Sequence, residues 1–159
     1  MNKQSKRSSQ KLFDGPLGKN PPPTSPITTK TMKSNKPKNT RPEINMRKTL
    51  FNAGIKGYRI HWDKVPGKPD IAFPGRKLAV FVYGCYWHRC SKCNLPLPKS
   101  NSEFWRKKFI LNKTRDVKKR QELENLGWKV IELWECDIKT DVQRCLTTVE
   151  HAWTVSSQH

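Results

Sequence analysis

The chain has 159 residues, of which 32 are Lys or Arg and 13 are Asp or Glu, and its formal net charge is +19. This charge opposes self-association and favours a polyanionic partner such as nucleic acid, although a basic protein of the ribosomal type would share it. No apolar run approaches the roughly 20 residues of a membrane span and the N-terminus lacks the apolar stretch of a secretory signal, so we expect a cytoplasmic, nucleoid-associated protein with no membrane partner.

Residues 1–40 are predicted to form a disordered basic N-terminal arm. They hold six of the twelve prolines, and their nine Lys or Arg against the single acid Asp14 give a net charge of +8. With few apolar residues, this segment cannot bury enough surface to offset its ordering entropy. The arm either wraps a phosphate backbone or only solubilises the chain. Residues 41–145 are predicted to form the folded domain, and residues 146–159 a C-terminal tail.

A helix is predicted to open the folded domain. Thr40-Arg41-Pro42-Glu43 has a capping-box pattern with proline in the first turn, and Gly54 would end the helix. Its apolar side is predicted to carry Ile44, Met46, Leu50 and Phe51. The alternation of Tyr58, Ile60 and Trp62 then indicates a half-buried strand.

The rest of the domain is predicted to alternate strands with one long helix. Strands are expected at residues 71–73, at 78–82 as a buried central strand, and at 128–134. A helix from about Glu103 to Asn125 should separate the last two. Its buried side is predicted to carry Phe104, Ile110 or Leu111, Val117 and Leu123. This order indicates an α/β arrangement around a small mixed sheet.

Four cysteines have the pattern of a metal site. Cys85, Cys90 and Cys93 fall within ten residues, and Cys136 follows the last predicted strand. Tetrahedral zinc needs four thiolate or imidazole ligands, and Cys90-x-x-Cys93 can supply two of them from one tight turn. In a reducing compartment, clustered cysteines indicate metal ligands before disulfides. His88 is an alternative ligand, but Cys136 completes the set without it.

Other residues near this segment are candidates for chemistry. His88, if it is not a zinc ligand, could act as a general acid or base. Asp70, at the start of a predicted strand, could bind Mg²⁺, or it could simply be a cap or a solvated loop residue. Tyr86 and Trp87 could stack on or wedge between bases, or belong to the core. The fifth cysteine, Cys145, is expected to be a buried or idle thiol.

Several stretches together resemble one enzyme family. They are Pro42-Glu43, residues 66–71, residues 80–88, residues 101–105, Asn112-Lys113 with Arg115-Asp116, and residues 126–136. The segment Gly84-Cys85-Tyr86-Trp87-His88 carries the most specific part of the likeness. From Pro42 to Lys139, the chain resembles the very short patch repair endonucleases, which nick DNA beside T·G mismatches.

The resemblance implies a restriction-endonuclease-like fold, in which helices flank a small mixed central sheet, with a structural zinc. The zinc ligands would be Cys85, Cys90, Cys93 and Cys136. Mg²⁺ would be bound by Asp70 and by the backbone carbonyl of Val82. His88 would be the catalytic histidine, assisted by Glu43.

The resemblance also implies a DNA wedge and contains one departure. The aromatic wedge of the family corresponds to Tyr86 and Trp87. Some family members carry a second histidine where this chain has Tyr83, and a tyrosine there is a poor base that could still position a phosphate or a water molecule.

The expected function is therefore one-strand nicking beside a T·G mismatch by Mg²⁺-dependent phosphodiester hydrolysis. The expected state is a monomer on double-stranded DNA, with mismatch-repair proteins as further partners. One alternative is a restriction-type nuclease that cuts both strands of undamaged DNA. The other is a non-catalytic zinc-containing DNA-binding module, which would not need Asp70 and His88 together.

Overall fold

The computed structural model describes residues 36–156, together with residues 20–22 and Pro26. Most of the predicted disordered arm therefore lies outside the described residues. The helices are α1 (Arg41–Asn52), α2 (Ser102–Asn125), α3 (Glu135–Thr140) and α4 (Val142–Val155). The strands are β1 (Arg59–Ile60), β2 (Ile71–Phe73), β3 (Leu78–Tyr83) and β4 (Lys129–Trp134), with a 3₁₀ turn at Pro74–Arg76 between β2 and β3. Within these described ranges, no helix is long and apolar enough to cross a membrane.

The four strands form one mixed sheet in the order β1-β2-β3-β4. The β1–β2 and β2–β3 pairs are antiparallel, and β3 and β4 are parallel. Val80 lies at the centre of the register, opposite Ile71 on one side and Ile131 on the other. The parallel pair needs a long crossover, which α2 supplies. The prediction of a small mixed sheet flanked by helices is confirmed.

Both faces of the sheet are covered, and successive residues of β3 show how. On one face, Leu78 and Val80 pack with Met46 and Leu50 of α1 and with side chains of α3 and α4. Side chains on a strand alternate between faces, so Ala79, Phe81 and Tyr83 point the other way. They pack with Leu123 near the end of α2 and with Trp128. This burial explains why β3 is apolar along its whole length.

The helix boundaries agree with the prediction more closely than the helix faces do. Gly54 (φ 77°) follows the end of α1 and Gly127 (φ 77°) follows α2, each in the left-handed region that favours glycine. On α1, Met46 and Leu50 are fully buried, but Ile44 and Phe51 are exposed, so half of the predicted apolar side is wrong.

The buried side of α2 is displaced from the predicted one. Ile110 and Val117 are exposed, Phe104 and Leu111 are half-buried, and of the predicted set only Leu123 is fully buried. The buried residues are Trp105, Phe109, Asp116 and Leu123. These follow spacings of four and seven residues, so they lie along one side of the helix. The large aromatic rings, rather than the neighbouring aliphatic residues, decide which side faces the protein.

The predicted C-terminal tail is wrong for residues 146–155, because they belong to α4. Cys145, Val149 and Ala152 are buried in the core beside α1 and the sheet. Their spacing of four and three residues is that of one helix face. Asp141 caps the helix by accepting a hydrogen bond from the Arg144 N–H at 3.0 Å. Cys145 is buried, as expected.

Candidate active site and cysteine cluster

Asp70 lies where three strands meet. It precedes β2, and its Oδ2 accepts a hydrogen bond from the Val82 N–H at 2.8 Å, next to the end of β3. Its backbone carbonyl accepts a hydrogen bond from the His61 N–H at 3.2 Å, just past the end of β1. The backbone of His61 is in the left-handed region (φ 47°), which ends β1 after two residues although a strand through Trp62 was predicted. These contacts bring Asp70, Val82 and His61 together at one edge of the sheet.

Glu43 reaches the same place from the first turn of α1, and only 4 % of it is exposed. Its carboxylate accepts hydrogen bonds from the Thr40 hydroxyl at 2.8 Å and from the Asn39 N–H at 3.0 Å. These two contacts hold Glu43 in position, although the predicted capping box does not form, because the Thr40 side chain makes no hydrogen bond to the N–H groups of the helix. The carboxylate also faces His61, whose Nε2 lies 3.4 Å from Glu43 Oε2.

His61 lies between the two carboxylates and was missed by the sequence reasoning. Its Nδ1 lies 3.5 Å from Asp70 Oδ1, while its Nε2 faces Glu43. The only available signal was the strand alternation: if Ile60 and Trp62 share one face, His61 must lie on the other. Glu43, His61 and Asp70 each offer one ligand atom, and these atoms all lie within 4.8 Å of one another.

The electrostatics of this cluster favour a cation. The pKa of Asp70 is raised to about 6, chiefly by burial and also by the charge of Glu43, against the opposing hydrogen bond from Val82. Burial lowers the pKa of His61, which leaves the imidazole neutral at pH 7. Two carboxylates beside a neutral imidazole are a donor set that suits a divalent cation. The residues present therefore fit a divalent-metal site.

His88 is held by a buried carboxylate. Its Nδ1 lies 2.5 Å from Oδ2 of Asp116, which projects from the buried side of α2 and is 8 % exposed. The imidazole ring also stacks on Tyr83, with ring centroids 4.3 Å apart and planes 14° apart. A histidine that contacts a carboxylate through Nδ1 keeps Nε2 for a reacting group. The role of Asp116 was missed, and the signal was an acid on the buried side of a basic helix.

Tyr83 contacts His88 through its ring and uses its hydroxyl elsewhere. The hydroxyl donates to Glu132 Oε1 at 3.3 Å, and Glu132 in turn pairs with Arg120. Burial raises the pKa of Tyr83, so the phenol is neutral at pH 7. The ring is thus a platform for His88. The predicted positioning of a phosphate or a water molecule by Tyr83 stays a prediction.

The four cysteines predicted to bind zinc lie together. The Sγ atoms of Cys85, Cys90, Cys93 and Cys136 are all within 4.8 Å of one another, and none is in a disulfide. Cys90 Sγ lies 3.8 Å from Cys136 Sγ. Zinc–sulfur bonds of about 2.3 Å in a tetrahedron place the sulfurs about 3.8 Å apart. The donor set and its spacing fit a closed four-thiolate site, and His88 is not part of it.

Three further contacts attach the cysteine segment to the start of α3. The Cys136 N–H donates to Cys85 Sγ at 3.4 Å, and the Cys85 N–H donates to Glu135 Oε2 at 3.2 Å. Lys92 forms an ion pair with Asp137 at 2.5 Å. The segment that carries His88 is therefore attached both to the end of β3 and to α3.

Tyr86 and Trp87 are half-buried against aromatic side chains of α2. The Tyr86 ring centroid lies 5.4 Å from that of Phe109, and the Trp87 centroid lies 6.1 Å from that of Trp105. Lys108 places its ammonium 5.9 Å from the Trp87 ring centroid. The two predicted wedge residues thus form one face of an aromatic cluster that retains exposed ring surface beside a cationic side chain.

Comparisons with known proteins identify relatives of this chain. A family model described as DNA mismatch endonuclease Vsr matches residues 25–95. The type II nicking enzyme V.NmeAIP of Neisseria meningitidis serogroup A is 45 % identical over 104 residues, which are 64 % of this chain and 72 % of that enzyme.

Two more relatives extend the comparison. The type II nicking enzyme V.NaeI of Lentzea aerocolonigenes is 33 % identical over 167 aligned positions, which cover 99 % of both chains. The DNA mismatch endonuclease Vsr of Escherichia coli (strain K12) is 29 % identical over 110 residues, which are 69 % of this chain and 70 % of that enzyme. The similarity therefore spans the metal cluster, the cysteine segment and α2.

Proposed function

Because the chain belongs to the Vsr family of DNA mismatch endonucleases, we propose that it nicks one strand of double-stranded DNA beside a T·G mismatch, by hydrolysis that depends on Mg²⁺. It is an endonuclease, a hydrolase that acts on DNA. One observation carries the assignment of the site: the His88–Asp116 pair and the Glu43, His61 and Asp70 cluster both adjoin the end of β3. We further propose that the mixed sheet is the core of a restriction-endonuclease-like fold.

His88 is the general base in this proposal. A phosphodiester is hydrolysed when a water molecule attacks in line with the leaving oxygen, and the attacking water must lose a proton. Nε2 of His88 accepts that proton. Asp116 stabilises the proton on Nδ1, so that Nε2 presents its lone pair, and it stabilises the imidazolium that then forms. Tyr83 keeps the ring plane fixed from the other side.

The divalent cation would be held by Asp70 and the backbone carbonyl of Val82, with Glu43 assisting. Asp70 is oriented for this role, since its Oδ2 is fixed by the Val82 N–H while Oδ1 faces the cluster. When bound, such a cation supplies electrostatic stabilisation to the phosphate as negative charge develops on it. The Glu43 carboxylate is held beside Asp70 by hydrogen bonds from Thr40 and Asn39.

The four cysteines bind a structural zinc in this proposal. Four thiolates leave no open coordination position, so this site takes no part in the chemistry. Its effect is on position: it ties the segment containing Cys85, Cys90 and Cys93 to Cys136 at the start of α3. His88 lies inside that segment, and a rigid support keeps a catalytic side chain within reach of its target.

In this proposal, the aromatic cluster and the basic surface of the protein recognise the substrate. Tyr86 and Trp87 would insert at the mismatch, where a weakened base step opens at lower cost than in matched DNA. The net charge of +19 supplies affinity for phosphates without regard to sequence. Affinity and discrimination thus reside in different parts of the molecule.

The proposal is tested with plasmid-length and short duplexes that differ only in carrying T·G or T·A at one position. The wild-type protein should nick the T·G duplex when Mg²⁺ is present and not when it is omitted. His88→Ala should slow nicking by about 10²–10⁴-fold while leaving DNA binding intact, as expected for the loss of a general base. Double-strand cleavage of the matched duplex would favour the restriction-type alternative. Binding without cleavage under every condition would favour the non-catalytic module.

A further inference from the structure

His61, a residue that the proposed reaction does not use, lies in a cluster of acidic side chains. It stands between Glu43 and Asp70, 3.4 Å from one carboxylate and 3.5 Å from the other. Its side chain is 14 % exposed, against 5 % for Glu43 and 21 % for Asp70. The three side chains come from α1, from the end of β1 and from the start of β2, so the fold brings them together from separate parts of the chain.

Among the described residues, some polar atoms of this cluster have no hydrogen-bond partner. His61 Nε2 is buried and has no hydrogen-bond partner there, although Glu43 is its neighbour. Asp70 has one oxygen bonded to the Val82 N–H, and its other oxygen makes only the 3.5 Å contact to His61. A buried nitrogen without a partner is costly unless a further group binds it, and Asp70 Oδ1 faces the same cluster.

The described cationic neighbours of the cluster are not the group that binds His61 Nε2. The charge of Arg47 reaches both His61 and Asp70. Its guanidinium, however, donates to Asn39 Oδ1 at 2.9 Å rather than to either carboxylate of the cluster. Two carboxylates and an imidazole therefore converge, and no cationic side chain of the described residues is bonded between them.

We propose that His61 is a direct ligand of the catalytic cation, so that Glu43, His61 and Asp70 form one three-residue metal site. This inference rests on the proposed function, because it concerns the cation of that reaction. All three candidate ligand atoms lie within 4.8 Å of one another, a spacing that one ion can bridge with small movements of the side chains. A nitrogen ligand changes which metal the site prefers.

The expected preference follows from ligand chemistry. Mg²⁺ takes oxygen ligands almost exclusively and keeps several waters, whereas Mn²⁺ accepts carboxylates and also tolerates imidazole. A site with one imidazole should therefore bind Mn²⁺ more tightly than Mg²⁺. Removing the imidazole should weaken the binding of Mn²⁺ much more than the binding of Mg²⁺.

The test uses Mn²⁺ alone, without DNA, and a spectroscopic signal that only a bound nitrogen produces. The full chain carrying His88→Ala is loaded with Mn²⁺, so that His88 cannot contribute a nitrogen. Pulsed electron paramagnetic resonance should then show ¹⁴N coupling from one imidazole. His61→Asn in the same background should abolish the coupling and raise the dissociation constant for Mn²⁺ by about tenfold or more, with a smaller change for Mg²⁺.

The variants are chosen so that folding cannot explain the result. Asparagine tolerates the left-handed backbone found at His61, so His61→Asn should not strain the turn. His61→Gln, which keeps the length and a hydrogen-bonding group, is the second variant and should lose the coupling as well. His151→Asn, at an exposed histidine of α4, is the matched control and should keep the coupling. Thermal unfolding checks that every variant is folded.

Two results would overturn the inference. One is Mn²⁺ binding without any ¹⁴N coupling, or coupling that survives in both His61 variants. The other is no Mn²⁺ binding at all by a folded protein. Nicking of T·G duplexes by the wild-type protein is scored separately: nicking without nitrogen coupling refutes only the His61 ligand, and nitrogen coupling without nicking refutes only the proposed reaction.

Discussion

Among single residues, His88 and Asp116 show most clearly how packing orients a proposed catalytic side chain. The carboxylate is almost fully buried on α2, yet it lies 2.5 Å from an imidazole nitrogen that belongs to a different element. A buried carboxylate is costly unless it is paired, so the pair has to form for α2 to pack as it does. The packing of α2 and the orientation of His88 are thereby coupled.

This coupling leads to a prediction for Asp116→Asn. The asparagine can still contact Nδ1, but as an amide it no longer favours the tautomer with a proton there, and it cannot stabilise an imidazolium. Single-turnover nicking should fall by about 10²-fold or more. Asp63→Asn, at an exposed aspartate, is the control and should leave the rate unchanged. A wild-type rate in Asp116→Asn would show that the pair has only a structural role.

Asp70 supports a prediction about stability rather than rate. Its pKa is raised by burial from 3.8 to about 6, so between these pH values the unfolded chain loses the proton first. Stability contributed by Asp70 is therefore greatest below about pH 4, falls as the pH rises towards 6, and stays low above it. At 1.36 kcal/mol per pKa unit, the deficit at neutral pH reaches about 3 kcal/mol.

Asp70→Asn should remove this deficit in protein freed of exchangeable divalent cations. Its free energy of unfolding at pH 7.5 should exceed that of the wild type by up to about 3 kcal/mol, and the gain should shrink as the pH is lowered towards 4. Denaturant titrations across this pH range measure it, with Asp63→Asn as the control. Equal or lower stability at pH 7.5 would contradict the raised pKa. If Asp70→Asn is more stable than the wild type but no longer nicks DNA, Asp70 contributes to activity at a cost in stability.

At the scale of elements, the sequence predicted those parts that depend on local patterns. The apolar run of β3, the strand-forming residues of β4 and the glycines after α1 and α2 are local signals, and all four elements are found. The four cysteines stood out by their clustering and Asp70 by its place at the start of a predicted strand; both groups lie together as clusters, while their roles stay predictions.

The missed features depend on tertiary contacts. His61 became important only because β1 ends in a left-handed turn that directs it towards Asp70. The buried side of α2 is set by the packing of Trp105 and Phe109 against the aromatic residues of the cysteine segment. The helix α4 was missed because Val149 and Ala152 are separated by polar residues, and only the core beneath them gives the spacing its meaning.

The cysteine cluster connects two elements, and this connection can be tested. Cys136→Ser should lower the zinc content from about one ion per chain, since a closed tetrahedral site needs all four ligands. It should also lower the unfolding temperature and slow nicking, because the segment that holds His88 would be attached to α3 only by the contacts of Glu135, Asp137 and the backbone N–H of residue 136. Metal analysis after gel filtration measures the first effect.

The control for this experiment is Cys145→Ser. Cys145 lies on the buried face of α4 and is not among the four clustered cysteines, so its substitution should cost stability while leaving zinc content unchanged. Full zinc content in Cys136→Ser would remove Cys136 from the site.

At the scale of the whole molecule, charge is distributed unevenly along the chain. Residues 1–35 carry seven Lys or Arg and one acid, a net charge of +6. If these residues contact phosphates, they contribute to affinity through the release of counterions, and this contribution depends on salt concentration. Deleting them leaves Asn39 in place, which contacts both Glu43 and Arg47.

Deletion of residues 1–35 should weaken DNA binding and flatten its salt dependence. The slope of log K against log salt should decrease in magnitude by as much as about 5, at roughly 0.9 per phosphate contact. The preference for T·G over T·A duplexes should be unchanged, because the deletion leaves the aromatic cluster in place. A full-length chain whose Lys and Arg in this segment are replaced by Gln is the matched control. An unchanged slope in both variants would show that the arm only solubilises the chain.

Strand-resolved product mapping tests whether this site hydrolyses one strand of a mismatched duplex. Each strand of a T·G duplex and of its T·A counterpart carries a different fluorophore, and single-turnover cleavage is followed with Mg²⁺ for the wild type, His88→Ala and Trp87→Ala. We predict a single nick beside the mismatch in one strand, its loss in His88→Ala, and a reduced T·G preference in Trp87→Ala. Equal cutting of both strands, or equal rates on T·G and T·A duplexes by the wild type, would contradict the account.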